Sequence, residues 1–358
     1  MDAARRLLPP IIALLACGCA PQADDLLADY RARVQRAAGA DVGNPVYPDV
    51  PAYPSHRDRA VAIPEVRGSV WELLFDLPDC ELDHLVSERN SILGRYWPAT
   101  SRFDYELRFR LRLDRCRARL GRQEPADEEQ REFLERLEEI DAAKRDVLPA
   151  VWWALSYDSP EFEQAFSPAA PPLPPEAPGR RQAALAALDH LQGLSALLDA
   201  PADGLALAPL ERALEQLAQS RYGGGLLRSL ALLTGELDAT STALEHAAAA
   251  AVCPQNRPTP RGRVLHRVFN RYYAGKVQPY FAEVQRGGRA WLDAHARLLD
   301  SQRVAWPPAF ERFRGRALGD GPDSLWQRWS AARVRHVEAW QRVLRQCALM
   351  PGTDTREP

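Results

Sequence analysis

Two proline-rich runs set the strongest limit on how this chain of 358 residues can fold. The first, residues 43–64, has prolines at 45, 48, 51, 54 and 64, and the second reads SPAAPPLPPEAPG over residues 167–179. Proline lacks an amide hydrogen and its ring clashes with the preceding helical turn, so neither run can form a helix interior. The first run predicts an extended segment on the surface. The second predicts a linker between an N-terminal half, residues 67–166, and a C-terminal half, residues 180–350.

The segments between these runs have the composition and apolar spacing of helices. Predicted helices lie at residues 24–38, 82–93, 133–140, 180–199, 208–221, 226–252, 263–282, 290–302 and from 324 onward. Pro201 and the glycines at 223–225 and 287–288 are taken as breaks between helices. The pattern predicts an all-α fold: a multi-helix bundle, divisible into two packed helical halves, with a proline-rich extended N-terminal segment.

Residues 103–113 allow two structures, because apolar residues alternate strictly from Phe103 to Leu113. Alternation is the period of a strand. On a helix the same residues form two stripes, one through Tyr105 and Phe109 and one through Phe103 and Leu107. The intervening residues are charged and none is β-branched, which favours a helix capped by Ser101. A helix with two apolar stripes should lie between two neighbours.

The N-terminus has the layout of an export signal, with Arg5 and Arg6 followed by a short apolar run to Ala16. A run of about ten residues is too short to span a bilayer. It leads directly into Cys17 and resembles a bacterial lipobox, in which the cysteine is acylated and becomes the new N-terminus. We therefore expect residues 1–16 to be a signal peptide, and residues 17–66 to comprise a lipid anchor, a short helix and a proline-rich tether.

Two alternatives to acylation at Cys17 remain open. Cys19 offers a second frame, preceded by the small residue Gly18. A cleaved, soluble periplasmic protein with a stray thiol pair is the other. Neither cysteine is followed by aspartate, which in such lipoproteins signals retention in the inner membrane. The resemblance therefore points to the periplasmic face of the outer membrane of a Gram-negative bacterium, with the N-terminal lipid in the membrane.

The other four cysteines are an even number in a chain that we expect to be exported, which predicts disulfides. Pairing Cys80 with Cys116 and Cys253 with Cys347 is favoured, because each bridge then lies within one half, although four cysteines allow three connectivities. A metal site is the alternative. The chain beyond residue 19 contains no C-x-x-C motif and no regularly spaced histidines, so no metal is expected.

Charge and motifs exclude several functions. The formal net charge of −2 gives no basic field for nucleic acid. Only two of the 46 basic residues are lysines, which we attribute to coding bias. No nucleophile elbow, zinc-helix motif, phosphate loop or dinucleotide pattern occurs, so no cofactor is expected. The best local set, Asp83, His84, Ser87, Glu88 and Ser91, lies on one helix, where side chains diverge instead of forming a catalytic triad.

Three short motifs resemble a known family when they are read together with the cysteines. They are ERNSILG at 88–94, SRFDYE at 101–106 and QPY at 278–280. With the bracketing Cys80 and Cys116 and the terminal Cys347, they resemble an uncharacterised envelope lipoprotein family, domain of unknown function 3080, over essentially the whole mature chain. The resemblance implies a helical exported lipoprotein with no assigned activity.

The most informative polar residues are Arg89, Asn90 and Ser91, within what is predicted to be an apolar helix. Buried polar groups need partners, and Tyr105 and Glu106 on the next segment are natural ones. We interpret this cluster as a polar staple between two helices, with a ligand-binding cluster as the alternative.

Two functions of different classes follow from these observations. The first is a non-enzymatic, lipid-anchored helical protein that binds an envelope partner, which is a protein, a cell-wall polymer or a lipid. The second is a cell-wall glycoside hydrolase or transglycosylase that uses carboxylates such as Glu88 and Glu106, because this chemistry needs little more than two carboxylates about 5–10 Å apart.

Overall fold

A computed structural model describes residues 22–64, 80, 82–120, 128–175, 178–201 and 204–351. The predicted signal peptide and both candidate lipid-attachment residues, Cys17 and Cys19, lie outside these residues. Throughout the part of the chain that is described, the regular structure is helical and no strand occurs. The all-α multi-helix prediction is confirmed.

The helices of the described part have the following bounds. The α-helices are α1 (Ala23–Ala38), α2 (His56–Arg59), α3 (Leu82–Asn90), α4 (Ala99–Leu120), α5 (Glu128–Leu155), α6 (Pro160–Ala165), α7 (Pro178–Leu194), α8 (Leu207–Ser220), α9 (Tyr222–Ala249), α10 (Pro260–Val268), α11 (Gln278–Asp300), α12 (Pro308–Ala317) and α13 (Leu325–Gln346). A π-helix, Phe269–Val277, joins α10 to α11, and 3-10 turns occupy Leu93–Tyr96, Ser195–Leu198 and Pro254–Asn256.

One large apolar cluster forms most of the core, and α9 lies at its centre. This helix is buried along most of its length and packs against α1 and α13. The same cluster contains Trp152 and Trp153 from the predicted N-terminal half, and Leu230 and Trp340 from the C-terminal half. The two halves therefore share a core.

Helix α4 lies between two clusters, as its two stripes predicted. Phe103 and Leu107 belong to the large cluster, whereas Tyr105 and Phe109 belong to a smaller one formed with α3 and α5. The helix begins at Ala99, so Ser101 is within its first turn and is not the predicted cap.

The structure joins the cysteines in the predicted pairs. Cys80 is bonded to Cys116, with Cα atoms 5.4 Å apart, and Cys253 to Cys347, with Cα atoms 5.0 Å apart. The first bridge ties the start of the α3–α4 hairpin to the far end of α4. The second ties the loop after α9 to the end of α13.

The first proline-rich run has no regular structure apart from the short helix α2, and it is not only a surface segment. The Tyr53 ring stacks on Phe166, with centroids 4.8 Å apart. Arg59 is buried and donates a hydrogen bond of 2.7 Å to the Glu163 carboxylate. Helix α1 precedes this run and is itself in the core. The predicted tether is therefore packed into the body and does not separate the body from the N-terminus.

Both glycine groups are helical, contrary to the prediction, and the break between α8 and α9 occurs at Arg221, just before the first group. Residues 223–225 form the first turn of α9, and 287–288 lie inside α11. A Cβ atom at Gly224 would collide with the carbonyl oxygen of Ser167, and one at Gly288 would collide with the Trp326 ring. These glycines serve close packing with distant segments, a requirement that local sequence does not reveal.

Candidate functional site

The connection between α3 and α4 contains the ERNSILG motif, and its structure differs from the predicted helix. Helix α3 ends at Asn90, and the chain then turns sharply into the 3-10 turn that begins at Leu93. A Cβ atom at Gly94 would collide with the carbonyl oxygens of Glu88 and Arg89. Glycine at position 94 therefore allows the chain to fold back closely over the end of α3.

Polar side chains of the motif hold this turn. The Ser91 hydroxyl donates to the Glu88 carbonyl oxygen at 2.8 Å and accepts the Gly94 amide hydrogen at 3.0 Å. The Arg89 guanidinium donates to the Gly94 carbonyl oxygen and lies 5.8 Å from the centre of the Trp97 ring. Because these bonds satisfy backbone groups that a helix end leaves open, they fix the shape of the turn.

Three large apolar side chains project from this fixed turn into solvent. Ile92, Leu93 and Tyr96 are 81%, 79% and 84% exposed. We call these three residues the apolar tip. Single exposed apolar residues are common on protein surfaces, but a contiguous group of them often marks a site of interaction.

The predicted polar staple is wrong in its geometry. Asn90 and Ser91 are exposed, because α3 ends there, whereas Tyr105 and Glu106 are buried on α4. No hydrogen bond joins either exposed residue to either buried one within the described structure. Burial raises the pKa of Tyr105, whose hydroxyl has no hydrogen-bond partner among the described residues.

The two carboxylates named for glycoside chemistry do not form a catalytic pair. Glu106 is 1% exposed and accepts hydrogen bonds of 2.9 Å from both Arg102 and Lys144. Glu88 is about half exposed and lies 3.5 Å from Arg108. A substrate cannot reach a buried carboxylate that two cations already hold, so Glu88 and Glu106 do not supply the pair of carboxylates that glycoside chemistry needs.

Two further features of the described residues concern metal binding and membrane insertion. No group of three or more histidine, cysteine, aspartate or glutamate side chains is arranged there to hold a metal ion. No helix within the described ranges is both long enough and apolar enough to cross a membrane.

Fold and site together define a class: a disulfide-braced, all-α protein that displays an apolar tip on a hydrogen-bonded turn. The chain belongs to the family described as protein of unknown function (DUF3080), whose family model matches residues 27–351. The match includes both disulfides and the apolar tip, and it confirms the family resemblance of the sequence motifs. No curated protein and no solved structure shows significant similarity to this chain.

The apolar tip was not predicted, although the sequence contains a signal for it. The predicted helix, residues 82–93, includes Ile92 and Leu93, whereas the observed helix ends before them at Asn90. Gly94 follows Leu93 directly, and glycine is a signal for a turn. Apolar residues next to such a turn are candidates for exposure.

Proposed function

We propose that this protein is a lipid-anchored periplasmic protein of the bacterial outer membrane that binds an envelope protein through its apolar tip. The tip carries the proposal, because three large apolar side chains are displayed in solvent on a turn with a fixed shape. Burying one such side chain stabilises a complex by about 1.5–3 kcal/mol. A groove that covers all three would therefore gain several kcal/mol from a small contact.

A protein partner is favoured over a bilayer because the turn that carries the tip has a defined, hydrogen-bonded shape. A rigid turn lowers the entropy cost of binding to a partner of complementary shape, whereas a fluid bilayer accepts an apolar loop of any shape. Charged residues of both signs surround the tip, with Arg89 and Arg95 near it in the chain and Glu88 paired with Arg108, so the cross-linking experiment below includes a bilayer as an outcome.

The lipid anchor is supported by the lipobox-like sequence and by the start of α1 at Ala23. From Cys17 to Ala23 the chain can extend about 20 Å at most. An acylated Cys17 would therefore hold the helical body close to the membrane surface. Mass spectrometry of the mature N-terminus should find a lipid-modified cysteine at position 17 or 19, and an unmodified N-terminus beyond residue 20 would contradict the anchor.

Site-specific photo-cross-linking in living cells tests the tip. A benzophenone amino acid at position 93 should give one discrete protein adduct. The same amino acid at Val334, which is 47% exposed on α13 but far along the chain from the tip, should not. Absence of a discrete adduct from positions 92, 93 and 96 would contradict the proposal. If the adducts contain only lipid and the non-acylated protein floats with phospholipid vesicles, the tip binds a bilayer and the proposal of a protein partner is wrong.

A further inference from the structure

A pocket of about 700 Å³ lies between the second proline-rich run, the π-helix and α11. This volume is within the range of small-molecule sites. Its interior is formed mainly by Leu173, Tyr222, Tyr280 and Val284. The pocket is therefore largely apolar inside, and it is separate from the apolar tip.

Hydrogen bonds from the core hold the proline-rich wall of the pocket in place. The Tyr280 hydroxyl donates to the Leu173 carbonyl oxygen at 2.9 Å, and the Leu173 amide donates to the Ser229 hydroxyl oxygen at 2.8 Å. Pro174 and Pro175 follow and line the pocket. Because proline has no amide hydrogen, this wall offers little hydrogen bonding to a ligand.

The rim of the pocket has an excess of positive charge. Arg181, Lys276 and Arg286 lie there with a single carboxylate, Glu283. Arg286 and Arg181 both donate to Glu283, and the hydrogen bond from Arg286 is the largest of the effects that lower the pKa of this carboxyl group.

Lys276 is the cation of this rim that has no acidic partner. No ion pair joins it to a carboxylate within the described structure, and its ammonium lies 5.6 Å from the centre of the Tyr272 ring. It follows Gly275 in the last turn of the π-helix, and both residues line the pocket. Wide helical turns of this type occur often at functional sites.

We propose that this pocket binds an amphipathic anion. The carboxylate or phosphate head would lie at the rim beside Lys276 and Arg181, and the alkyl chain would lie along the apolar interior. Long-chain fatty acids and lysophospholipids share this chemistry. Leu26, which also lines the pocket, is in the first turn of α1. The proposed anchor would place the pocket near the membrane, where such molecules are found.

Binding of defined amphiphiles to the mature chain tests this site. The changes Cys17→Ser and Cys19→Ser prevent acylation, so that no attached acyl chain competes. Palmitate and lysophosphatidylglycerol are titrated by calorimetry below their micelle concentrations, with hexadecanol as the uncharged control. Saturable binding with one site per chain and a preference for the anions over hexadecanol are expected. The anion that binds with higher affinity shows whether the site prefers the carboxylate of a fatty acid or the phosphate of a lysophospholipid.

Substitutions at the rim locate the binding. Lys276→Gln should weaken anion binding about tenfold, as expected for loss of a charge-assisted contact. Arg267→Gln, which changes an exposed arginine of α10 outside the pocket, should have no effect. No saturable binding, equal affinity for hexadecanol, or equal effects of the two substitutions would overturn the proposal. Leu93→Asp should leave this binding unchanged, so failure of the pocket and failure of the apolar tip are distinguishable.

Discussion

The carboxylate of Glu106 on α4 and the ammonium of Lys144 on α5 lie 2.9 Å apart, and these side chains are 1% and 4% exposed. Arg102 donates to the second carboxylate oxygen at 2.9 Å. The Lys144 ammonium also lies 4.5 Å from the centre of the Phe109 ring. Burial lowers the pKa of Lys144, and the attraction of Glu106 opposes that shift. The pair joins α4, which follows the apolar tip in the chain, to α5.

Removing one partner of this buried pair should destabilise the protein strongly. Lys144→Met leaves the Glu106 carboxylate buried with Arg102 alone, and we expect a loss of about 3 kcal/mol in the free energy of unfolding. Denaturant titration measures it. Arg136→Met is the control, because Arg136 and Glu132 are both more than half exposed and 3.8 Å apart, so the loss should stay below about 1 kcal/mol. Equal effects of the two changes would contradict the assignment.

A second buried network is centred on His336. The Trp340 indole donates to the Tyr30 hydroxyl oxygen at 2.7 Å, and the Tyr30 hydroxyl donates to His336 Nε2 at 2.8 Å. Ser241 Oγ donates to the Leu237 carbonyl oxygen, so its own oxygen can accept a hydrogen from His336 Nδ1, which is 3.2 Å away. The neutral imidazole is therefore fully hydrogen-bonded.

Two buried histidines, His336 in this network and His295 beside Tyr157, predict that the protein loses stability in acid. Burial lowers the pKa of His336 and of His295 to about 3, below the ordinary value of 6.5. As the pH falls from 6.5 towards 3, the unfolded chain binds protons that the folded chain does not, so stability falls by about 1.4 kcal/mol per pH unit for each histidine. Unfolding measured across this range should show that His295→Gln and His336→Gln each reduce the slope by about one proton. His246→Gln, at an exposed site, should not; an unchanged slope in the buried variants would contradict this account.

The close packing at Gly224 predicts a sharp contrast between two glycine substitutions. Gly224→Ala should destabilise the protein by about 1–3 kcal/mol, because its Cβ would collide with the Ser167 carbonyl oxygen in a packed region. Gly193→Ala should be neutral or stabilising by up to about 1 kcal/mol, because nothing lies within 4 Å of the added atom and alanine favours the helix. Thermal unfolding of both variants tests the pair. A stable Gly224→Ala protein would show that residues 167–173 do not pack on α9.

The two disulfides should protect different parts of the molecule. Replacing Cys253 and Cys347 by alanine opens a loop with a sequence separation of 94, and we expect a loss of about 4–5 kcal/mol that affects the main core. Replacing Cys80 and Cys116 should increase hydrogen exchange mainly in α3, α4 and α5, because that bridge lies in the smaller cluster. Exchange followed by mass spectrometry distinguishes the two. Reactive thiols at all four of these positions in the native protein would contradict both bridges.

The parts of the fold that sequence predicted depend on local periodicity. Phe103 and Tyr105 fall on separate helical stripes, and the structure places them in separate clusters. The cysteine pairing also followed from positions along the chain. In contrast, Gly224 and Gly288 were misread because their partners, Ser167 and Trp326, are distant in sequence.

The candidate sites were harder to predict, because each depends on where a helix ends or on several segments meeting. The prediction of a polar staple was wrong because α3 ends at Asn90. Asn90 and Ser91 are therefore exposed, and the Ser91 hydroxyl forms hydrogen bonds within the turn. The pocket combines α1, the proline-rich run, the π-helix and α11. Lys276 forms no ion pair with a carboxylate among the described residues. It can be identified as a candidate ligand contact only when the positions of these segments are known.

The size of the complex extracted from the envelope in mild detergent tests the function of the apolar tip most directly. We predict that the wild-type protein and the Val334→Asp control migrate on a native gel as a complex larger than the monomer. Leu93→Asp should migrate as the monomer with an unchanged melting temperature, because Leu93 is 79% exposed and contributes little to the core. Migration of all three proteins at the same size would contradict the proposal that the tip binds an envelope protein.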